Sequence, residues 1–574
     1  MAVDVARIMR RYEALKTERS GWDSAWASLA ELFLPCRWRS DSDDTSHKAP
    51  KLNGRLVNST GVLAMRTLAA GMQGGMTSPV RPWFRLVLKD KDGDGTSGLN
   101  MWLDEVTQRM QSILHNSNFY NAVHGLYSDL GTFGTGLLIE VADADGIRFH
   151  LVRAGEYVLD INGRGEVDTF FRRISMTARQ IVDRWGSGEN VPQAVREAAR
   201  ARNGQGGVTR FNVIHGVFPR SDIRPGAALG PESKPFVSVY FCEMGAGGGR
   251  PCLLSEGGYD MFPAFAPRWD VNGTEVYGRS PAMDVTPDCR MLQAMTATLR
   301  RMQHKIADPP MLADENLRRY GVTLDPGSLS FVSMAAFAQS GGTPVVPVQQ
   351  PEPAALNYTM QSIRDVEQII HDGLYTDLFR MLIDEDRRQI TATEIQARQQ
   401  EKMILVGPVV ERLQKELLEP LIARTFALMR EWGALPELPE GMEEAELDVS
   451  FESVLAQAQK MTATSAMDQG LAFMAQSAQV SPDALDVLDF DAMSRVYLDR
   501  IGMPESCVRD EQDIAAMRER RAQAQAQAEQ QAQQAQEAQQ IADMSTAAKN
   551  LGQTPVGADG QTLMGTILGG LGVI

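Results

Sequence analysis

One long amphipathic segment constrains the fold of this chain more than any other feature. It runs from Ile390 to Gly433 and reads ITATEIQARQQEKMILVGPVVERLQKELLEPLIARTFALMREWG. Its apolar residues recur largely at steps of three and four, the spacing that places them on one face of a helix. A continuous helix of this length spans roughly 60 Å at ~1.5 Å per residue. The sequence therefore predicts one long helical rod in this part of the chain.

The rod has a clear start and an interruption near its middle. Thr391 and Glu394 have the spacing of a capping box, in which each side chain satisfies an otherwise unpaired backbone N–H. Gly407 and Pro408 follow further along, and Pro408 lacks an N–H while its ring clashes with the preceding turn. We therefore expect a kink at Gly407–Pro408. On spacing alone, the simpler interpretation is a long core helix with an incidental bend.

Composition indicates a soluble chain of several subdomains. A length of 574 residues exceeds a single core and predicts roughly two to four subdomains. The hydrophobic content of 43% and the charged content of 23% are ordinary for globular proteins. The N-terminus lacks the apolar core of a signal peptide, and no uncharged apolar run reaches about 18 residues, so we expect no membrane span.

The cysteines indicate a reducing setting. Five are present, far apart and without a CxxC spacing: Cys36, Cys242, Cys252, Cys289 and Cys507. An odd and scattered set favours reduced thiols in a cytosolic environment over a disulfide framework.

The net charge of −16 counts against ordinary nucleic-acid binding, because Lys and Arg contacts to phosphates dominate the affinity. It does not exclude a protein through which nucleic acid must slide without being held.

Signatures of catalysis are absent from the sequence. No GxxxxGK[ST] is present, which argues against a P-loop motor or a large terminase, and neither HExxH nor GxSxG occurs. DKDGDG, from Asp90 to Gly95, imitates the start of an EF-hand, but Met101 stands where the loop needs a bidentate glutamate. We expect no enzymatic activity, no cofactor and no metal site.

The first 280 residues predict a mixture of helices and strands. Asp4 is suited to be the N-cap of an amphipathic helix, and a second helix follows up to Pro35. Asn58–Met76 reads as a helix rich in Gly and Ala that can press closely on its neighbours. Strand-like runs follow between Gly131 and Phe218, and FVSVYFCEM and PCLLSEGG flank a glycine cluster like the strands of a hairpin.

Helices dominate the rest of the chain. Pro287 suits the first turn of a helix that ends before a Pro/Gly/Ser-rich insert, Met311–Pro353, with short strand-like pieces. A second helix, Leu356–Leu382, leads to the charged turn DEDRRQ and then to the rod. Residues 447–500 again predict helices, and the Ala/Gln-rich tail after them predicts a helix or disorder.

Three long stretches together carry a family resemblance. They are STGVLAMRTLAAGMQGGMTSPVRPWFRL (Ser59–Leu86), VYGRSPAMDVTPDCRML (Val276–Leu292) and TATEIQARQQEKMILVGPVVERLQKELLEPLIAR (Thr391–Arg424). In wording and order they resemble the portal, or head-to-tail connector, proteins of short-tailed, podovirus-type bacteriophages. The similarity covers roughly residues 1 to 500.

The resemblance implies a mainly helical α+β fold with a wing, a two-helix stem, a clip and a crown. Such subunits form a homo-oligomeric ring, usually of twelve, at one capsid vertex, where double-stranded DNA is packaged by the terminase and later ejected. The implied partners are that DNA, the terminase, the major capsid protein and scaffold, and the tail adaptor and nozzle proteins, with no membrane. The implied location is the head-tail junction of the virion, with assembly in the host cytoplasm.

The resemblance also implies a division of this chain. The segments are a wing (1–280), a first stem helix (281–308), a clip (309–354), a second stem helix (355–382), a tunnel loop (383–390), a long kinked wing helix (391–435), a crown (436–510) and an Ala/Gln-rich, helical or disordered C-terminal tail (511–574). The bend at Gly407–Pro408 would let one helix approach the channel and also follow the circumference of the ring.

Three groups of residues are implied to meet DNA or partner proteins. The tunnel-loop group, expected to face the phosphate backbone, is Asp384, Glu385, Asp386, Arg387 and Arg388. The stem group is Arg290, Arg300, Arg301 and Lys305. The clip group, expected to contact the terminase and the tail adaptor, is Arg318, Arg319 and Tyr320. An ordinary solvated turn is the alternative for the tunnel loop.

Two other functions are compatible with the sequence. A nuclease with metal-binding carboxylates could use the many acidic residues, although no pair of them is singled out by spacing. A capsid scaffold or coat protein is the other alternative, and the order of helix, insert and helix argues against it.

Overall fold

The computed structural model describes most of the chain, in two compact units, Met1–Val487 and Leu488–Ile574. The described residues are 4–35, 37, 56–88, 97–143, 146–188, 190–201, 207–220, 233–243, 251–313, 333–339, 345–347, 353–383, 406–437, 447–451, 470–471, 473–474, 476, 489–500, 509 and 511–553.

Helices and strands are mixed, as expected for an α+β fold. The labelled α-helices are α1 (Val5–Phe33), α2 (Thr60–Met76), α3 (Ser97–Asn116), α4 (Phe119–Phe133), α5 (Ala178–Trp185), α6 (Gln193–Arg200), α7 (Pro281–Asp284), α8 (Thr286–Ala307), α9 (Met334–Gln339), α10 (Pro353–Gly373), α11 (Thr376–Ile383), α12 (Glu419–Glu431), α13 (Phe490–Arg500) and α14 (Glu511–Gln553). Residues 406–413 of the rod are α-helical as well. The strands are β1 (Phe84–Leu88), β2 (Leu137–Asp143), β3 (Gly146–Val152), β4 (Tyr157–Ile161), β5 (Val167–Thr177), β6 (Arg210–Pro219), β7 (Phe236–Cys242), β8 (Cys252–Tyr259), β9 (Ala264–Phe265), β10 (Met311–Ala313), β11 (Val345–Pro347) and β12 (Leu447–Phe451).

The N-terminal helix begins as expected but does not end where expected. The Asp4 carboxylate accepts hydrogen bonds from the backbone N–H groups of Ala6 and Arg7, which confirms it as the N-cap. The two predicted helices are one continuous helix, α1. Its first half packs Tyr12 against the five-stranded sheet, whereas its second half buries Trp26 in the main core. Because both halves are anchored by tertiary packing, one helix spans the two clusters.

The largest sheet is antiparallel, in the order β4-β5-β6-β7-β8. The predicted hairpin is confirmed, since β7 pairs with β8. One face packs on α1 through Phe171, Ile214 and Phe241. The other face is covered at one end by α5 and α6 and at the other end by the main core. A smaller sheet, β3-β2-β9, lies at the edge of the main core.

The small residues of α2 allow close packing, as predicted. Gly71 approaches Phe379 of α11, and a Cβ on Gly131 of α4 would lie 2.7 Å from the sulfur of Met65 and 2.9 Å from a methyl of Leu68. Both Met65 and Leu68 are fully buried. This helix is therefore at the centre of the main hydrophobic core.

The helical prediction for residues 447–500 is wrong at its start. Leu447–Phe451 is the strand β12, which pairs antiparallel with β1 so that Phe451 lies opposite Phe84. The alternation of Leu, Val and Phe with Asp and Ser is a period of two, typical of a half-buried strand. A partner more than 350 residues away along the chain completes the pair.

The second predicted stem helix is also interrupted. Residues Leu356–Leu382 fall in two helices, α10 and α11, and Tyr375 between them has a left-handed φ of 54°. Gly373, at the end of α10, passes so close to Val285 that a Cβ would overlap a methyl of that side chain. The first helix, α8, begins with Pro287 in its first turn, as predicted.

The insert between α8 and α10 contains the predicted short strands. β10 and β11 are antiparallel partners, with Leu312 opposite Val346, and α9 lies between them along the chain. No helix in the part of the chain that the structure describes is both long and apolar enough to cross a bilayer.

The second unit contains the helices α13 and α14. Arg518 of α14 pairs through both terminal nitrogens with the Asp491 carboxylate of α13. The Ala/Gln-rich tail is helical from Glu511 to Gln553, which is one of the two expected states. Its side chains from 518 to 547 are solvent-exposed wherever they are described.

Candidate functional site

The three stretches that carry the resemblance meet in the structure. Val276–Leu292 lies between the other two stretches. Its Cys289 approaches Gly61 of α2. Its Arg279 pairs through the backbone with Asp270, and Asp270 in turn accepts a hydrogen bond from Arg412 of the rod. This junction fixes the start of α8, the helix that the resemblance assigns to the stem.

Two glycines allow the chain to fold tightly at this junction. A Cβ on Gly278 would lie 2.5 Å from the carbonyl oxygen of Gly134, and Gly134 itself has a left-handed φ of 78°. The Gly278 N–H donates to the Thr135 hydroxyl at 2.7 Å. Ser280 caps α7 and donates to the carbonyl of Thr132 at 2.7 Å. The end of α4 and the start of α7 are thereby joined.

The rod contacts the same junction through Arg412. Its Nη1 atom donates to the carbonyl of Trp269 and to the Asp270 carboxylate, both at 3.0 Å. The Arg279 N–H donates to the Asp270 carbonyl at 2.7 Å. Asp270 therefore links the rod to the segment that precedes α7.

A π-helical turn, Gln414–Leu418, interrupts the rod, and sequence analysis missed it. The Glu419 N–H donates to the carbonyl of Gln414, five residues back. Pro420 has no N–H for the carbonyl of Glu416, and its ring would clash there in a regular α-helix. The wider turn relieves that clash. In the sequence, Pro420 is the residue that could have predicted this irregular turn.

The π-helical turn places Glu416 on a buried arginine. Arg268 Nη2 donates to Glu416 Oε1 at 2.7 Å, and the backbone N–H of Arg268 donates to Oε2 at 2.9 Å. The same Nη2 also donates to the carbonyl of Gly165 at 2.8 Å. The irregular turn thus holds the rod against Arg268, which also contacts the loop between β4 and β5.

The predicted kink at Gly407–Pro408 remains a prediction. Residues 406–413 are α-helical and continue directly into the π-helical turn. The residues before 406, including the predicted capping box of Thr391 and Glu394, lie outside the described part of the chain.

A second contact ties the rod to the sheet β3-β2-β9. The Glu140 carboxylate of β2 is completely buried, lies 3.5 Å from Nε of Arg424 and accepts a hydrogen bond from the Thr425 hydroxyl. Burial raises the pKa of Glu140 to about 7, and it outweighs the opposing effects of Arg424 and Thr425. The charged pair is therefore held at a considerable desolvation cost.

Asn58 joins α8 and α10, the two helices that the resemblance assigns to the stem, to the segment before α2. Its side-chain amide donates to Glu367 of α10 at 3.1 Å and to Thr296 of α8 at 3.4 Å. The Gln293 side chain of α8 accepts from the N–H groups of Val57 and Asn58 and donates to the Asn58 carbonyl. The helices α8 and α10 therefore share one polar anchor.

All four predicted stem cations are exposed on α8. They are Arg290, Arg300, Arg301 and Lys305. Asp288 is the only acidic residue of this helix, so α8 is a basic element in an acidic chain. Arg300 is already engaged, since its Nη2 donates to the Val57 carbonyl at 2.8 Å.

The other three cations form one stripe. Arg290 and Arg301 are eleven residues apart, which is about three helical turns, and Lys305 follows one turn later. This stripe, which we call the basic stripe, lies opposite the side chains that α8 buries. Within the described residues none of its three side chains is engaged as Arg300 is, so the basic stripe can meet a ligand or another chain.

The remaining predicted site residues lie outside the described part of the chain. They are the tunnel-loop residues Asp384, Glu385, Asp386, Arg387 and Arg388 and the clip residues Arg318, Arg319 and Tyr320. Their roles stay predictions. Among the residues that the structure describes, no three His, Cys, Asp or Glu side chains group as metal ligands would.

Comparison with known proteins confirms the resemblance. The sequence profile described as "Bacteriophage head to tail connecting protein" matches residues 5–508. The chain is 34% identical over 520 residues to the "Probable portal protein" of Bordetella phage BPP-1, covering 90% of this chain and 91% of that protein. It is 35% identical over 523 residues to the "Portal protein" of Salmonella phage epsilon15, covering 91% and 92%. The "Portal protein" of Escherichia phage T7 is 20% identical over 462 residues, covering 77% and 78%. The chain therefore belongs to the family of bacteriophage head to tail connecting proteins.

Proposed function

We propose that this connector forms a ring of twelve copies, the number that the resemblance implies, at one vertex of the capsid. Double-stranded DNA would enter through the ring, driven by the terminase, and leave through it during infection. The observation that carries the proposal is the similarity over about nine-tenths of the chain to the portal proteins of phages BPP-1 and epsilon15. That coverage includes the helices α8 and α10, the insert between them and the rod.

The stem of each subunit would be the helices α8 and α10, with residues 309–354 as the clip. The anchor at Asn58 supports this assignment, because it holds α8 and α10 together at the start of α2. The pairing of β10 with β11 supports a compact clip, since the insert begins and ends in one small sheet. Residues 1–280 would then be the wing and 436–510 the crown.

The channel would be lined in part by the basic stripe of Arg290, Arg301 and Lys305. Each phosphate neutralised by Lys or Arg releases counterions, so a densely basic bore would hold DNA in place. Sparse cations in a chain of net charge −16 would guide DNA and still let it slide. The tunnel loop 383–390, which mixes acids and arginines, would meet the phosphate backbone in the same way.

The rod would connect this channel with the wing. Its contacts to β2 through Glu140 and to Arg268 through Glu416 support that role, because both fix the rod to the sheets. A bend at Gly407–Pro408 would turn its N-terminal part, capped by Thr391 and Glu394, toward the channel. Replacing Gly407 and Pro408 with alanine should then give rings that close poorly.

The partners would be those of a connector. Arg318, Arg319 and Tyr320 of the clip would contact the terminase during packaging and the tail adaptor and nozzle proteins afterwards, while the major capsid protein and scaffold would surround the ring. Assembly would take place in the host cytoplasm. Family membership supports a structural and not a catalytic role, and no observation favours the nuclease or the scaffold.

Electron microscopy of the purified protein, classified for end-on views, tests the proposal. We expect rings with a central hole of ~20 Å or more, wide enough for duplex DNA, and the class averages give the number of copies. Monodisperse monomers under all conditions of salt and concentration would overturn it.

The basic stripe has its own test. Ala294 and Thr298 lie between its cations and are exposed, so Ala294→Lys with Thr298→Lys makes the stripe continuous. Rings should form normally, and packaging of DNA into capsids should slow. Gln193→Lys on α6 is a control that adds charge away from the stem. Normal packaging by intact rings of the double variant would contradict the placement of the stripe in the channel.

A further inference from the structure

A row of polar side chains crosses four strands of the five-stranded sheet, between two hydrophobic clusters. Arg172 of β5 lies opposite His215 of β6, His215 opposite Tyr240 of β7, and Tyr240 opposite Ser255 of β8. Directly opposite residues share one face of a sheet. The row is therefore continuous and lies on the face that α5 and α6 cover in part.

His215 offers Arg172 a hydrogen bond but no charge. Arg172 Nε donates to Nδ1 of His215 at 3.1 Å, and Nε2 of His215 lies 3.2 Å from the Ser238 hydroxyl. The imidazole stacks on the Tyr240 ring with centroids 4.0 Å apart. Burial, aided by the charges of Arg172 and Arg184, holds the pKa of His215 well below its ordinary value. The imidazole is thus neutral.

Arg184 of α5 reaches the same tyrosine from above the sheet. Its Nη2 donates to the Tyr240 hydroxyl at 3.4 Å, and its guanidinium carbon lies 4.9 Å from the ring centroids of both Tyr240 and Trp185. Arg184 directly, and Arg172 through His215, therefore both lie close to Tyr240, and each guanidinium group raises the electrostatic energy of the other.

No carboxylate compensates this pair in the described part of the chain. Every ion pair there is made by other residues; the nearest acid along α5, Asp183, pairs with Arg179 at 3.8 Å. Burial lowers the pKa of Arg172, and the charge of Arg184 adds to that effect. The pKa of His150 on β3 is likewise lowered, first by burial and then by Arg172 among the neighbouring arginines. The region is a local excess of positive charge in an acidic protein.

We propose that Arg172 and Arg184, with the Tyr240 hydroxyl, form a binding site for an oxyanion, either a phosphate or a carboxylate. The planar guanidinium group matches both anions with paired, charge-assisted hydrogen bonds. Arg172 is half-buried at the floor and Arg184 is exposed at the rim, so the site is accessible.

The oxyanion has two possible sources. One is a free ion such as inorganic phosphate. The other is an acidic side chain of a neighbouring copy, which would supply the missing counter-charge in the assembled ring. Binding to a neighbouring copy rests on the ring proposed above, whereas binding of a free ion does not. The oxyanion site and the ring can therefore be disproved separately.

The first arm of the test titrates the protein with inorganic phosphate at constant ionic strength maintained with sodium chloride. We expect a saturable rise in the unfolding temperature, with a matching change in tryptophan emission that Trp185→Phe abolishes. Arg184→Gln should weaken half-saturation by about tenfold or more, which is ~1.4 kcal/mol. Arg200→Gln, an exposed arginine at the end of the neighbouring helix α6, is the matched control and should bind like the parent chain.

The second arm compares assembled and dissociated protein. Saturable binding in both states identifies a free ion. Binding only by dissociated subunits, together with weaker assembly of Arg184→Gln than of Arg200→Gln, identifies the carboxylate of a neighbouring copy. If phosphate gives no saturable effect in either state and Arg184→Gln assembles like the parent chain, the site does not exist.

Discussion

Gly71 of α2 lies directly beneath the ring of Phe379 of α11, with no room for a side chain between them. Phe379 is fully buried, and α11 packs against α2 along this contact. The atoms nearest to Gly71 belong to the base of the Phe379 side chain and its rigid ring, so they cannot move aside as a flexible chain end would. Both helices are thus held at a separation that only glycine permits at position 71.

Gly71→Ala should destabilise the protein by about 1–3 kcal/mol, because a methyl group would force apart a well-packed core. Gly74, one turn further along the same helix, is exposed and has no neighbour within 4 Å. Gly74→Ala should therefore be neutral or stabilise by up to about 1 kcal/mol through helix propensity. Unfolding temperatures of the two variants give the comparison, and similar values for both would show that α2 and α11 are not in close contact.

The π-helical turn implies that two glutamates of the rod contribute unequally to the stability of the protein. Glu416→Ala leaves the nearly buried Arg268 without its carboxylate, so the protein should lose about 3 kcal/mol or more of stability. Glu411 forms an exposed pair with Lys415 at 2.8 Å, and exposed pairs contribute little. Glu411→Ala should leave the unfolding temperature unchanged. An equally small effect of Glu416→Ala would mean that the turn does not hold the rod against Arg268.

Glu140 should make the stability of the protein depend on pH. Its pKa is about 7 in the folded chain and 4.5 in a free side chain. The folded state therefore binds more protons than the unfolded state between these values, and its stability falls as the pH rises from about 4.5 to 7. A shift of this size corresponds to about 3 kcal/mol at most.

Glu140→Gln tests this dependence. The amide cannot titrate, so the decline in unfolding temperature between pH 5 and pH 7 should be smaller than in the parent chain. Asp129, whose pKa burial raises to about 6, is unchanged in the variant, so the difference between the two slopes isolates Glu140. If the unfolding temperatures of the variant and the parent chain fall equally with pH, a group other than Glu140 is responsible for the pH dependence.

Local signals in the sequence predicted much of the helical fold. Asp4 and Pro287 mark helix starts because capping and first-turn geometry depend only on nearby residues. The Gly- and Ala-rich composition of α2 predicted close packing, and Gly71 confirms it. The motifs Ser59–Leu86, Val276–Leu292 and Thr391–Arg424 were found in the sequence, but their meeting in space depends on the whole fold.

The features that sequence analysis missed depend on distant partners. The break at Tyr375 follows from the approach of Gly373 to Val285, which is remote in sequence. The pair of Glu416 with Arg268 likewise spans 148 residues. The basic stripe was found as separate cations, and only the hydrogen bond from Arg300 to the distant Val57 carbonyl distinguishes that residue from the other three.

The pairing of β12 with β1 can be tested by a disulfide across it. Leu86 and Val449 are directly opposite in the antiparallel pair, where the Cα separation of about 4.5–5.5 Å suits a disulfide. The double variant Leu86→Cys with Val449→Cys should therefore form a cross-link under mild oxidation, detected by mass spectrometry of linked peptides. Leu86→Cys with Ser450→Cys is the control, because a shift of one residue moves the second cysteine to the other face. A helix over residues 447–451 would abolish this preference, so equal cross-linking of both variants would contradict the strand.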